Sequence, residues 1–200
     1  MKKINKEVYL LLRTHNRPNE FKVCLDSIKT QTTKPKLIVI SDDPNDIYVN
    51  NVRVKHDIFR VKRPFRRWWI RHHNPYNDYF NQAVNIIPDG NFVIYLDDDD
   101  LLLYKDWINL ILNMNVDVLI GRFKMGKDHN YTLIGDEISR GKIGTSCFAI
   151  KSEIAKKFTW PKKSGGDYKF IKKIVKEFNP VFVNYIVGGV QKNLNQSWRK

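Results

Sequence analysis

Cysteine is scarce in this chain. Cys24 and Cys147 are the full complement, each among apolar neighbours and with no paired spacing, which argues against a disulfide framework, a cysteine metal site and a redox pair. A reducing compartment is the default. Long apolar runs are missing too. The N-terminus MKKINKEVYLLLRTHN places basic residues ahead of apolar ones, as a signal peptide does, but the apolar run is only VYLLL and Arg13 ends it. No stretch approaches the roughly 20 apolar residues of a membrane span. The expectation is a soluble, cytoplasmic protein whose charge is compatible with peripheral contact at the inner membrane surface. The glycine loop that cradles phosphates is also absent, since neither G-x-G-x-x-G nor G-x-x-x-x-G-K follows the first apolar run. Acidic residues are the minority, 21 against 35 basic ones, and the resulting charge of +14 would attract phosphate-bearing ligands or polyanions.

What is present suffices for a core. Hydrophobic residues make up 42% of 200 positions, with five Trp, so the chain is neither disordered nor too short to bury an interior. One domain of ordinary size is expected over residues 1–200. There is no internal repeat, low-complexity linker or clear boundary.

The stretch that organises the rest is NFVIYLDDDD, residues 91–100, a buried-strand sequence running into four aspartates. Four adjacent carboxylates repel one another, and hard divalent cations prefer oxygen ligands of this kind. A solvated acidic turn capping the next helix is the plainer alternative.

Two further apolar runs precede it. VYLLL, residues 8–12, ends in Arg13, Thr14, His15, Asn16, Arg17 and Pro18, after which Phe21, Leu25 and Ile28 repeat at helical spacing to about Thr30. KLIVI, residues 36–40, ends in Ser41, Asp42 and Asp43, so the first 40 residues form a βαβ unit with parallel strands. A shorter strand is expected in NVRVKHD from Asn51, and a basic, aromatic stretch follows over residues 59–73. Residues 74–85 are expected to be helical, as are residues 104–113 after the aspartates. Beyond them the expectations are strands in VDVLIG and in residues 143–150, a short helix capped by Ser152, a basic helix over residues 167–178 and a strand over residues 181–187.

In an open parallel α/β sheet, ligands bind beyond the carboxyl ends of the strands. Here three buried strands deliver Thr14-His15-Asn16, Asp42-Asp43 and Asp97 to Asp100 to one edge. With no glycine loop, a diphosphate would be held by a divalent ion on Asp99 with nearby Arg or Lys.

These residues resemble the inverting nucleotide-sugar glycosyltransferases of family two, which have the GT-A fold. The resemblance is carried by RTHNRPNEFKVCLDSIKTQT (residues 13–32), KLIVISDD, NQAVNIIPDGNFVIYLDDDD (residues 81–100) and GGDYKFIKKI from Gly165, in that order. It implies a Rossmann-like, mostly parallel sheet flanked by helices, in a single domain whose nucleotide-binding half covers about residues 1–100 and whose smaller, mixed, acceptor-binding half covers about residues 101–200. It implies metal-dependent transfer, with inversion, of a sugar from a nucleotide donor, a UDP-sugar first, to a glycan or lipid-linked acceptor hydroxyl. Mn²⁺ or Mg²⁺ would be the cofactor. By the same resemblance Thr14, Asn16, Arg17, Arg71, Asn81, Asp97 and Asp98 would contact the donor, Asp42 would accept from the base with Asp43 assisting, and Asp99 would hold the metal. Asp167 would be the general base.

Two positions depart from the family pattern. Gly166 stands where a Glu usually precedes the base, and Phe80 stands where an Arg commonly precedes the Asn matched by Asn81. Arg67, Arg71 or His72 is expected to supply that charge, and the tail, with Lys192 or Arg199, to fold over the diphosphate. The alternatives are a nucleic-acid-binding module built on residues 60–73, where cations would meet phosphates and aromatics would stack bases, or a metal-dependent nucleotidyl- or phosphotransferase. Nucleic acid is not the expected partner, because that reading leaves the aspartates unexplained.

Overall fold

A computed structural model describes residues 6–50, 54–62, 73–125, 131–132, 138–141 and 143–191. The apolar runs become the centre of one sheet. β1 (Val8–Thr14), β2 (Lys36–Ser41) and β4 (Phe92–Asp97) lie side by side and parallel, with Leu10, Leu11 and Leu12 facing Leu37 to Val39 on one side and Ile94 to Leu96 on the other. Unbroken apolar sequence suits a strand covered on both faces, and Leu10 to Leu12 and Phe92 to Leu96 are fully buried. β3 (His56–Arg60) extends the parallel set beyond β2. Its position corrects the strand expected from Asn51, because Val54 and Lys55 precede the ladder.

α1 (Pro18–Lys29) starts with a proline that needs no N–H in the first turn, and buries Phe21, Cys24, Leu25 and Ile28. The helix expected over residues 74–85 is interrupted. A 3₁₀ turn at Pro75–Asn77 leads into α2 (Asp78–Ala83), and Val84–Ile86 tightens again to 3₁₀. The cause is tertiary: Asn74 N–H donates to Lys162 O, and the Asn77 amide is turned toward the carbonyls of Pro161 and Lys163.

The chain after Asp97 departs most from expectation. Asp98 and Asp99 form a turn, and Asp100 to Leu102 form a short strand, β5 (Asp100–Leu102), so that α3 (Trp107–Asn113) begins later than the expected Tyr104. β6 (Val118–Met125), the two-residue β7 (Tyr131–Thr132), β8 (Phe148–Lys151) and β9 (Val181–Val190) complete the sheet, in the order β3-β2-β1-β4-β8-β6-β9-β5 with β7 on β6. β8 runs antiparallel to β4 and β6, β5 is antiparallel to β9, and β6 is parallel to β9. The N-terminal half is therefore wholly parallel and the C-terminal half mixed. Residues 145–147 are a 3₁₀ turn in place of the expected strand start. Ser152 is the first residue of α4 (Ser152–Ala155) rather than its cap, its hydroxyl donating to Pro88 O.

α5 (Gly166–Ile174) carries Phe170, Ile171 and Ile174 into the core, where Phe170 stacks on Trp160 at 4.3 Å between ring centres. Gly165 before it has φ +67°, a backbone that disfavours side chains, and a Cβ on Gly166 would come within 2.2 Å of Asn77 Nδ2. The departure at Gly166 thus has a steric cause. Gly166→Ala is expected to lower stability by about 1–3 kcal/mol, read as a shift in denaturant midpoint. An unchanged midpoint would mean that Asn77 moves aside freely. Among the described residues no helix is long and apolar enough to cross a membrane.

Candidate active site

The C-terminal ends of β1 and β4 and the loop before α5 enclose a cavity of about 730 Å³, lined by Arg13, Thr14, His15, Asn16, Arg17, His73, Asn74, Tyr76, Tyr79, Asp97, Asp99 and Ser164. Two of the three polar clusters expected at one sheet edge meet there, through Thr14-His15-Asn16 and through Asp97 with Asp99, while Asp42 and Asp43 do not line the cavity. Asn16 has φ +49°, a conformation Asn tolerates better than most residues, and its N–H donates to Asp46 Oδ1 at 3.0 Å. Tyr48 holds the same loop through Thr14 Oγ1 (2.9 Å) and Arg17 N–H (3.3 Å).

The four aspartates have four different surroundings. Asp97, opposite Arg13 in the β1–β4 ladder, accepts from Arg13 Nε at 2.7 Å and faces the cavity. Asp98 is fully buried, accepting from Thr14 Oγ1 at 2.7 Å and pairing with Arg17 at 3.1 Å. Asp99 lines the cavity with Arg17 Nη1 at 3.4 Å. Asp100 is buried in β5 and accepts from Thr145 Oγ1 at 3.1 Å. Of the four, only Asp97 and Asp99 are placed to meet a ligand.

Burial, with repulsion from its neighbours, raises each of Asp99 and Asp100 above the usual carboxylate range. For Asp98 burial is again the largest cause; Arg17 opposes it and Asp99 adds to it, and the value is pushed from 3.8 to about 7. The folded state therefore holds a proton that the unfolded chain has released. The stability linked to Asp98 is complete below pH 3.8 and is lost as pH rises to about 7. Metal-free protein is expected to melt at a lower temperature at pH 8 than at pH 5, with Mn²⁺ recovering part of the difference at pH 8. A melting temperature that climbs over that interval would contradict these burials.

Asp167 is the second residue of α5, and its Oδ1 accepts from Tyr168 N–H at 2.8 Å. Burial raises its pKa most, the Tyr168 bond lowers it, and the charge of Asp97 raises it further. Asp167 does not itself line the cavity, and its electrostatic link to the acidic turn runs through Asp97. The two are also tied mechanically: Arg13 Nη1 donates to Asn77 Oδ1 at 3.2 Å, while Asn77 Nδ2 donates to Pro161 O and Lys163 O in the loop before α5.

Other candidates fall elsewhere. Asp43 forms an Asx turn, its Oδ1 accepting from Asn45 N–H at 2.8 Å. Asn81 bonds both ways to the backbone of Trp160, accepting from N–H at 2.7 Å and donating to O at 3.2 Å, and does not line the cavity. Asp42 stands behind His15, with its side chain fully enclosed. Arg71 lies outside the described residues, as do Arg67, His72, Lys192, Arg199 and most of the basic stretch. A guanidinium does lie at Phe80, but it is that of Arg13, 4.7 Å over the ring.

His15, Asp42 and Asp46 have ligand atoms within 4.8 Å of one another, a set that could hold a cation. Their oxygens already accept from His15 Nδ1, Tyr79 O–H, Asn16 N–H and Ser41 O–H, so the group braces the loop, and a cation there would displace those bonds. Asp97 and Asp99 are better disposed: hard oxygen donors in a cavity wall, with mutual repulsion that a divalent ion relieves.

Residues absent from the sequence reading are Asp46, Tyr48, Asn77, Tyr79 and Gln191. Gln191 Nε2 donates to Asp98 O at 2.6 Å and Glu20 O at 2.9 Å, while its N–H donates to Asp99 O at 2.9 Å. None of these five carries a local signal, whereas Arg13 is visible in the sequence as a charge at the end of a buried strand.

The fold is that of GT-A-like glycosyltransferases: a parallel half joined through one sheet to a mixed half, with carboxylates at the end of the central strand. Among solved structures it is similar to TarS 1-349 of S. aureus, with TM-score 0.66 and 16% identity over 92% of this chain and 60% of that one. It is also similar to the mannosyltransferase PcManGT from Pyrobaculum calidifontis in complex with GDP-Man and Mn²⁺, with TM-score 0.67 and 17% identity over 98% of this chain and 61% of that one. A third is glucosyl-3-phosphoglycerate synthase from Mycobacterium tuberculosis in complex with Mn²⁺, UDP and glucosyl-3-phosphoglycerate, with TM-score 0.62 and 12% identity over 94% of this chain and 73% of that one. The chain thus spans about three fifths of the first two. No family model matches the chain, and no curated protein matches it by sequence.

Proposed function

We propose that this protein is a metal-dependent glycosyltransferase of the inverting, family-two type, moving a sugar from a nucleoside diphosphate donor to the hydroxyl of a glycan or lipid-linked acceptor. One observation carries the reading: Asp97 and Asp99 line the same cavity as Thr14 to Arg17, with Ser164 of the loop before Asp167 in its wall. Solved structures of the same fold are described with GDP-Man or UDP and with Mn²⁺, which supports a donor and an ion of that chemistry.

Asp99, with Asp97, would hold Mn²⁺ or Mg²⁺, whose charge offsets that of the diphosphate. Arg17 faces Asp98 and Asp99 and adds a fixed positive charge beside the leaving group. Asp167 takes the proton of the acceptor hydroxyl as that oxygen attacks the anomeric carbon. The new C–O bond forms on the face opposite the diphosphate, which leaves with the electrons of the broken bond. A raised pKa makes Asp167 a stronger base than an ordinary carboxylate, and the Arg13–Asn77 bridge fixes the loop that presents it.

Calorimetry with UDP and GDP, with and without Mn²⁺, tests the reading. Manganese-dependent binding is expected. Salt-sensitive oligonucleotide binding without metal, and no diphosphate binding, would favour the nucleic-acid module instead. Release of pyrophosphate from a nucleoside triphosphate would favour a nucleotidyltransferase.

A further inference from the structure

The side chain of Asp42 has no exposed surface, and both its oxygens are engaged. His15 Nδ1 lies 2.7 Å from Oδ1, and Tyr79 O–H donates to Oδ2. A carboxylate enclosed in this way has no surface to offer a ligand. His15 is different: its side chain is 29% exposed, and it lines the cavity with Tyr76 and Tyr79. The bond to a buried carboxylate fixes the ring, since Nδ1 must carry the proton it shares with Asp42. In the neutral imidazole, Nε2 on the far side of the ring is then an acceptor.

We propose that His15 reads the base of the donor nucleotide, with Asp42 as its positioning residue, and that the base is one bearing a ring N–H on its pairing edge, uracil or guanine. The inference rests on the donor reading given above and assigns recognition to a residue outside the carboxylate set. Uracil N3–H and guanine N1–H donate to Nε2. Cytosine N3 and adenine N1 carry lone pairs at the equivalent place and would meet the lone pair of Nε2, leaving two acceptors opposed in a partly desolvated wall. A site built around such a bond discriminates because the wrong base leaves its partner unsatisfied. Tyr79 contributes twice, holding Asp42 through its hydroxyl and forming part of the cavity wall.

The test is calorimetric titration of the intact chain with UDP, GDP, CDP and ADP, each with Mn²⁺. The better of UDP and GDP is expected to bind about tenfold or more tightly than CDP and ADP. His15→Ala is expected to bring all four to within about threefold of one another, and His15→Asn to do the same with less change in volume. Asp42→Ala is expected to collapse the ratio in the same way, by releasing the ring. A purely structural role for either residue would weaken all four ligands equally and leave the ratio intact, which overturns the proposal. CDP or ADP binding wild-type protein as tightly as UDP and GDP overturns it without any variant. Failure of every diphosphate to bind with Mn²⁺ overturns this proposal together with the donor reading, whereas binding with an unaltered ratio overturns this one alone.

Discussion

Replacing Asp99 with alanine is expected to abolish manganese-dependent binding of nucleoside diphosphates, weakening it on the order of 100-fold or more, because an ion bridging carboxylate and phosphate contributes several kcal/mol. The neighbouring aspartates cannot take over. Asp98 is buried against Thr14 and Arg17, and Asp100 is buried in β5 with Thr145. Asp97 reaches the cavity but is shared with Arg13, so that without Asp99 it would be left as the single carboxylate facing the ion. The measurement is a titration of nucleotide with and without Mn²⁺, beside a melting curve that separates lost ligation from lost fold. Because alanine removes one of several mutually repelling carboxylates, the variant should fold at least as well as the parent at pH 8. If manganese-dependent binding survives within about threefold, the ion sits elsewhere, with His15, Asp42 and Asp46 as the next set to alter.

The second large effect is expected from Asp167→Asn, which keeps size and can keep the acceptor for Tyr168 N–H while removing the basic oxygen. Transfer should fall on the order of 100- to 10,000-fold, the range that a positioned general base contributes, with donor binding unchanged. The wild-type rate should fall as pH drops below the raised pKa of Asp167, because the protonated carboxyl cannot accept the acceptor's proton. A variant that transfers sugar at the parent rate would show that another group removes that proton.

The parallel half of the fold was legible because its strands are continuous apolar runs that end abruptly in polar residues, and the convergence of Thr14, Asp97 and Asp99 follows from that ending. The acidic turn was legible as a site but not in its division of labour. Which aspartate faces the cavity depends on the pleat and on the turn into β5, and four identical residues carry no pattern to reveal it. β5 is three residues long and gains its partner from β9 across a large sequence separation, so no local periodicity marks it. Tyr48 sits in a 3₁₀ turn, Ile47–Asn50, with Asp46 just before it, between β2 and β3, where side-chain bonds to the Asn16 loop carry no signal in hydrophobic spacing. Asn81 was illegible for a related reason: nothing local in the sequence shows that its amide bonds the Trp160 backbone, 79 positions away, outside the cavity lining.

Gln191 holds the carbonyls of Asp98 and Asp99 from the end of β9, 93 positions away from Asp98 along the chain. A contact of that span closes a long loop and is expected to form late, after the local βαβ unit has collapsed. During synthesis the ligand pocket would therefore stay incomplete until nearly the whole of this sequence has left the ribosome, and a nascent chain halted earlier should contain the parallel strands yet fail to retain a nucleotide.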